Sequence, residues 1–175
     1  MQNEKFIPQR GIYRCKNNGV TLVELIIVVA IIGILVIALG FSFEGWVGKY
    51  RVENQTKEMY ADLMNARANA MSRKRAHFVV VAAGNYQIFE DTDESGGYNA
   101  GDSPISGFVG TKTLQYPIAA GEWTGTVTMS TRGLVNPNNT IRFDIGTNNP
   151  DYDCIVMFDT RINMGLWTGG ACVAK

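Results

Sequence analysis

Residues 19–25, Gly19-Val20-Thr21-Leu22-Val23-Glu24-Leu25, run straight into the uncharged stretch LIIVVAIIGILVIALGFSF at 25–43. As a helix, that stretch reaches about 28 Å at about 1.5 Å per residue. This is close to the hydrocarbon core of a bilayer, about 30 Å thick. A buried helix of this length in a soluble protein carries a polar stripe, and here the stripe is reduced to Ser42. The expectation is a transmembrane helix over 20–43. Ahead of it lie Lys5, Arg10, Arg14 and Lys16 against Glu4. By the positive-inside rule this leader keeps the N-terminus in the cytoplasm. An ordinary secretory signal fits less well. Its apolar region spans about 7–15 residues and ends at a small-x-small site. Here the run is longer, and Thr21 and Glu24 sit just inside its start.

Composition narrows the classes. Lys+Arg is 16 and Asp+Glu is 16, which argues against a nucleic-acid binder driven by bulk charge. Hydrophobic residues are 46% and charged residues 18%, so the chain can bury a core. One His and three Cys leave little for a zinc site. No Gly-rich phosphate loop, Ser-centred elbow or clear acid–base carboxylate pair is present, and no enzymatic activity is expected.

Downstream, residues 46–71 lack Pro. Val52, Thr56, Met59, Leu63, Ala66 and Ala70 recur at i, i+3/i+4 and form one apolar stripe. Glu53, Lys57, Asp62, Asn65 and Asn69 lie off it, so this is an amphipathic helix whose stripe must cover something. Gly45 and Gly48 around Trp46 suggest a weak or bent stretch, and Trp46 and Tyr50 fit either simple packing or an interfacial aromatic belt. From Phe78 the period changes. Phe78–Val81 and Tyr86–Phe89 flank Ala83-Gly84-Asn85, a hairpin signal. Further strands are expected at Thr113–Ile118, Thr124–Met129, Ile141–Ile145, Ile155–Phe158 and Asn163–Thr168, separated by Gly, Asn and Pro clusters. The fold class is therefore α+β: a long N-terminal helix, half transmembrane and half amphipathic, packed against a C-terminal antiparallel β domain.

A basic leader, Gly19, Thr21-Leu22, Glu24 at fixed spacing and the apolar run together resemble the class III signal of type IV pilins and type II secretion pseudopilins. The resemblance implies cleavage between Gly19 and Val20 by a prepilin peptidase, followed by N-methylation of Val20. Val20 departs from the Phe most often found there. The resemblance also gives Glu24 a role in subunit assembly, neutralising the α-amine of a neighbouring subunit. A helix-start acid favourable to the macrodipole is the plainer reading. Trp46, Tyr50-Arg51, Met59, Leu63 and Ala66-Arg67-x-x-Ala70 ahead of a hairpin resemble the GspH/FimT domain of minor pilins and pseudopilins. The implied organisation is a leader (1–19), a transmembrane helix (20–43), an amphipathic helix (44–75) and a periplasmic β-rich domain (76–175). The implied partners are the peptidase/methylase, other pilins through the N-terminal helix, and the inner membrane. A DNA-binding minor pilin of a competence pilus is the alternative. Cys15 would leave with the leader. Cys154 and Cys172 would lie where disulfides form, and connectivity is determined if they pair.

Two polar segments remain. Asp91-Thr92-Asp93-Glu94-Ser95-Gly96 through Asp102 fits D-x-D-x-S-G-x5-D, with candidate calcium ligands Asp91, Asp93, Ser95 and Asp102. Position 12 is Asp where Glu is usual, and no helices flank the loop, so an acidic turn without metal is the competing reading. Arg73-Lys74-Arg75 with Arg67 is either a nucleic-acid patch or a helix C-terminal cluster serving the dipole and last carbonyls, and the second is preferred. His77 is expected to be simply packed or exposed.

Overall fold

The computed structural model describes residues 19–105 and 110–175, with the side chains of 38–44 outside the description. Leader residues 1–18, including Cys15, lie outside it too. The chain divides into two compact units, Met1–Ser42 and Phe43–Lys175.

A single helix, α1 (Leu22–Arg73), begins in the first unit and ends in the second. Its start is set by Thr21, whose Oγ1 accepts the Glu24 N–H at 3.2 Å. With Glu24 three residues on, this is the Ser/Thr-x-x-Glu pattern of a helix N-terminus. In the first unit, the large apolar side chains from Val20 to Ile37 are all exposed, from 49% at Val28 to 76% at Leu22. The expected transmembrane run extends into 38–43, whose side chains are not described. Among the described residues, no helix is long and apolar enough to cross a membrane.

In the second unit α1 buries the expected stripe. Val52, Thr56, Met59, Leu63, Ala66 and Ala70 are all at most 1% exposed. The helix runs unbroken through Gly45 and Gly48. Gly48 serves a close approach: a Cβ there would lie 1.9 Å from Asn148 Oδ1. Glu53, off the stripe by sequence, is nonetheless buried, because it accepts the Asp151 N–H at 2.9 Å and is flanked by Lys49 and Lys57. The helix stops at Lys74, which takes a left-handed φ of 59°.

Among the described residues ten strands follow: β1 (His77–Ala82), β2 (Asn85–Glu90), β3 (Ser103–Pro104), β4 (Lys112–Thr113), β5 (Gly125–Met129), β6 (Val135–Asn136), β7 (Asn139–Arg142), β8 (Cys154–Phe158), β9 (Arg161–Thr168) and β10 (Ala171–Ala174). They form two antiparallel sheets. One runs β3-β2-β1-β5-β6 with β4 also on β2, and the other runs β10-β9-β8-β7. The fold is α+β, a helix followed by an antiparallel β domain. Val79, Val81, Ile88, Val127 and Met129 of the first sheet, and Ile141, Ile155, Met157 and Ile162 of the second, join the helix stripe in one core.

Two expected strands need correction. Thr113–Ile118 is a strand only at its first residue. Pro117 has no N–H to give a ladder, and the other backbone groups find partners elsewhere. The Gln55 amide donates to Tyr116 O and accepts from Tyr116 N, at 2.7 and 2.9 Å. Leu114 N and Ile118 N donate to Gly84 O and Ala83 O. The strand expected at Ile141–Ile145 ends instead at Arg142, after which Phe143 N turns to Asp153 O and Asp144 N to Pro117 O. Three short strands, β3, β6 and β10, were not expected at all.

Candidate functional site

The cleavage and assembly residues lie at the head of α1. Gly19 and Val20 precede the first turn, exposed and without helical hydrogen bonding. Glu24 lies in the first turn, and among the described residues no cation pairs with its carboxylate. Glu24 thus stands where a carboxylate is favourable to the helix dipole.

In the second unit, a cleft of about 390 Å³ is lined by Arg51, Gln55, Glu58, Tyr86 and Lys112. Two of these side chains are tied to carboxylates of α1. Tyr86 Oη donates to Asp62 Oδ2 at 2.6 Å, and Lys112 Nζ donates to the same oxygen at 2.7 Å and to Glu58 Oε1 at 2.8 Å. Burial, then the hydrogen bond and charge of Asp62, push the Tyr86 phenol above its ordinary pKa. Burial pulls Lys112 down, but Asp62 and Glu58 together carry its pKa above the ordinary value. This is a structural network fastening β2 and β4 to the helix.

The basic residues are likewise engaged. Arg67 donates to Gly133 O and Thr160 O at 2.7 and 2.8 Å. Arg73 pairs with Glu90 at 2.8 Å, and Arg75 with Glu90 and Glu94 at 3.9 and 3.7 Å. Arg73 does occupy the last turn of α1, but the partners of the triplet's two arginines are carboxylates of the β domain, where helix carbonyls were expected. His77 is fully buried, with Nδ1 3.0 Å from Arg75 O.

Cys154 and Cys172 form a disulfide joining β8 to β10 across β9. Gly165 of β9 lies beneath it, where a Cβ would come within 2.3 Å of Val173 O and 2.9 Å of Cys172 Sγ.

The acidic segment is the tip of the β2–β3 hairpin. Glu90 pairs with Ser103 as the last step of that register, and Asp91 and Asp102 follow it at the neck of the loop. Asp91 is 4% exposed and Asp102 9%. The carboxylates of Asp91, Asp93 and Asp102 each place an oxygen within 4.8 Å of the others. Asp91 accepts the N–H groups of Ser95 and Gly96, at 3.0 and 2.9 Å. Hydrogen bonds from Ser95 and Asn99 hold the Asp93 carboxyl down to about 2. The fourth expected residue, Ser95, is in the same turn, with its Oγ toward Gly97 O at 2.9 Å. Asn99 was not among the expected residues. Its Nδ2 lies 2.9 Å from Asp93 Oδ2, 2.7 Å from Ser95 Oγ and 3.3 Å from Gly97 O. Counting Asp91 as position 1 places Gly97 and Asn99 at positions 7 and 9 of a calcium loop, a spacing that could have flagged both.

In comparison with known families, residues 14–40 match the prokaryotic N-terminal methylation motif. The chain thus carries the processing signal of type IV pilin-like prepilins, a structural and non-enzymatic class. Searches of curated proteins and of solved structures give no match.

Proposed function

We propose that the chain is a minor pilin or minor pseudopilin of the GspH/FimT kind, a structural subunit of a type IV pilus or type II secretion pseudopilus acting in filament initiation or at the tip. A prepilin peptidase removes residues 1–19 and methylates Val20. Before assembly, residues 20–43 anchor the chain in the inner membrane with the β domain on the periplasmic side. The observation that carries this reading is the head of α1. Every described large apolar side chain from Val20 to Ile37 is at least 49% exposed, and one acid, Glu24, stands among them in the first turn. In water such a surface is unstable. At about 25 cal/mol per Å² it favours lipid or neighbouring helices. A carboxylate at mid-bilayer costs about 2.5–3.5 kcal/mol and less near the end, so Glu24 gains most from a cationic partner. The new α-amine of Val20 on an adjacent subunit supplies one at neutral pH. The DNA-binding alternative is not adopted, because Arg67, Arg73 and Arg75 are already committed to internal partners.

Co-expression with a prepilin peptidase tests the reading. Intact mass should fall by the 19 residues ahead of Val20, and Gly19→Trp should block the change. Cleavage after Ala38 or later would make the chain an ordinary secreted protein and overturn the proposal.

A further inference from the structure

We propose that the β2–β3 hairpin tip is a calcium site, formed by Asp91, Asp93, Ser95, Gly97, Asn99 and Asp102. The argument starts at the neck. Asp91 and Asp102 directly follow the last ladder pair, Glu90 with Ser103, and place carboxylate oxygens within 4.8 Å of each other, where like charges repel. Both side chains are more than nine-tenths buried, which removes the water that would screen them. Among the described residues, none of Asp91, Asp93 and Asp102 forms an ion pair. Three carboxylates with oxygens within 4.8 Å of one another are thus in direct contact with no described cation.

Asp102 adds an independent sign. Its Oδ2 accepts the Asn99 N–H at 2.7 Å, but its Oδ1 is buried and has no hydrogen-bond partner among the described residues. Leaving a buried charged acceptor unsatisfied is costly, and native proteins avoid it. The carboxylate bearing it faces those of Asp91 and Asp93. A cation there would serve all three acids and the orphaned oxygen together.

The position of Asn99 suggests the centre. Its Nδ2, a donor, gathers oxygens from Asp93, Ser95 and the Gly97 carbonyl. In the structure Oδ1 accepts the Gly101 N–H at 2.6 Å; on binding, half a turn of the amide would exchange that bond for the ion and present Oδ1 to the same point. The set then offers six oxygens: three carboxylates, a hydroxyl, a main-chain carbonyl and an amide. This is a hard-oxygen shell of the number calcium takes, at about 2.3–2.6 Å. The chain turn it needs is present: Gly96, at position 6, has a φ of 77°. Magnesium demands a tighter octahedron and sheds water reluctantly, so calcium should bind more strongly.

Terbium is a direct probe for the detergent-solubilised full chain, because Tyr98 lies within the loop as a sensitiser, its ring 4.9 Å from that of Phe89. Tyrosine-sensitised terbium emission should appear, be displaced by calcium, and resist equimolar magnesium. Asp102→Asn, which keeps shape and removes charge, should weaken calcium at least tenfold, and Ser95→Ala should weaken it less. Melting in EDTA checks that each variant folds. With the repulsion at the neck relieved, Asp102→Asn should melt no lower than the parent there, while the parent alone gains several degrees on adding calcium. Emission that calcium fails to displace, tighter binding of magnesium than calcium, or equal calcium affinity in parent and folded Asp102→Asn would each overturn the site. The pilin reading does not depend on the outcome.

Discussion

Tyr86 shows how one side chain ties burial to pH. Its hydroxyl meets Asp62 at 2.6 Å in a buried setting, and its pKa is raised first by burial and then by that carboxylate. A pKa raised in the folded state means the folded chain holds its proton more tightly than the unfolded one. The resulting stability is complete below about pH 10 and is lost as pH climbs further. Tyr86→Phe should cost about 1–2 kcal/mol in urea unfolding at pH 7. It should also make the decline above about pH 10 shallower. An equally steep decline in the variant would place the alkaline sensitivity elsewhere. At this scale the sequence was informative where a residue's role depends on spacing. Asp91, Asp93, Ser95 and Asp102 are drawn into one turn as their intervals require. Asn99, at position 9 of the loop, could have been read from the same spacing, whereas the engagement of Glu53 was not legible, because it depends on what approaches from another segment. Asp151, whose N–H binds Glu53, is remote in sequence.

Among the elements, the helix and the first hairpin were readable because each repeats a period. The stripe of α1 keeps its spacing from Val52 to Ala70, and the hairpin pairs His77 with Glu90 through Ala82 with Asn85. The segment at 113–118 misled because its apolar residues suggest a strand while its hydrogen bonds go to a glutamine side chain and a turn. The strand β10 has four residues and little period to detect, and its placement rests on the ladder to β9 and on the disulfide. Closing the loop between Cys154 and Cys172, 18 apart in sequence, is worth on the order of 3 kcal/mol in the chain-entropy account. Cys154→Ser with Cys172→Ser should therefore lower unfolding stability by about that amount, and reductant should do the same to the parent. A loss below about 0.5 kcal/mol in both would show that the sheet holds β10 unaided.

For the whole molecule, the proposed assembly turns on Glu24. Glu24→Gln keeps the helix cap, since Thr21 Oγ1 bonds the backbone of residue 24 and not its side chain. Membrane insertion should persist, while incorporation with partner pilins should fall several-fold, read as co-purification after detergent extraction. Normal co-purification would remove the charge pair from the account. The exposure of α1 up to Ile37 has a thermodynamic consequence as well. The second unit has its core within the chain, so its unfolding is a unimolecular equilibrium that a melting curve can measure at any dilution. The described side chains of the first unit bury nothing there, and in the proposed filament their gain comes only through mass action. Their contribution would then be expressed as the subunit density at which a filament nucleates, a quantity to which the melting temperature of the isolated chain is blind.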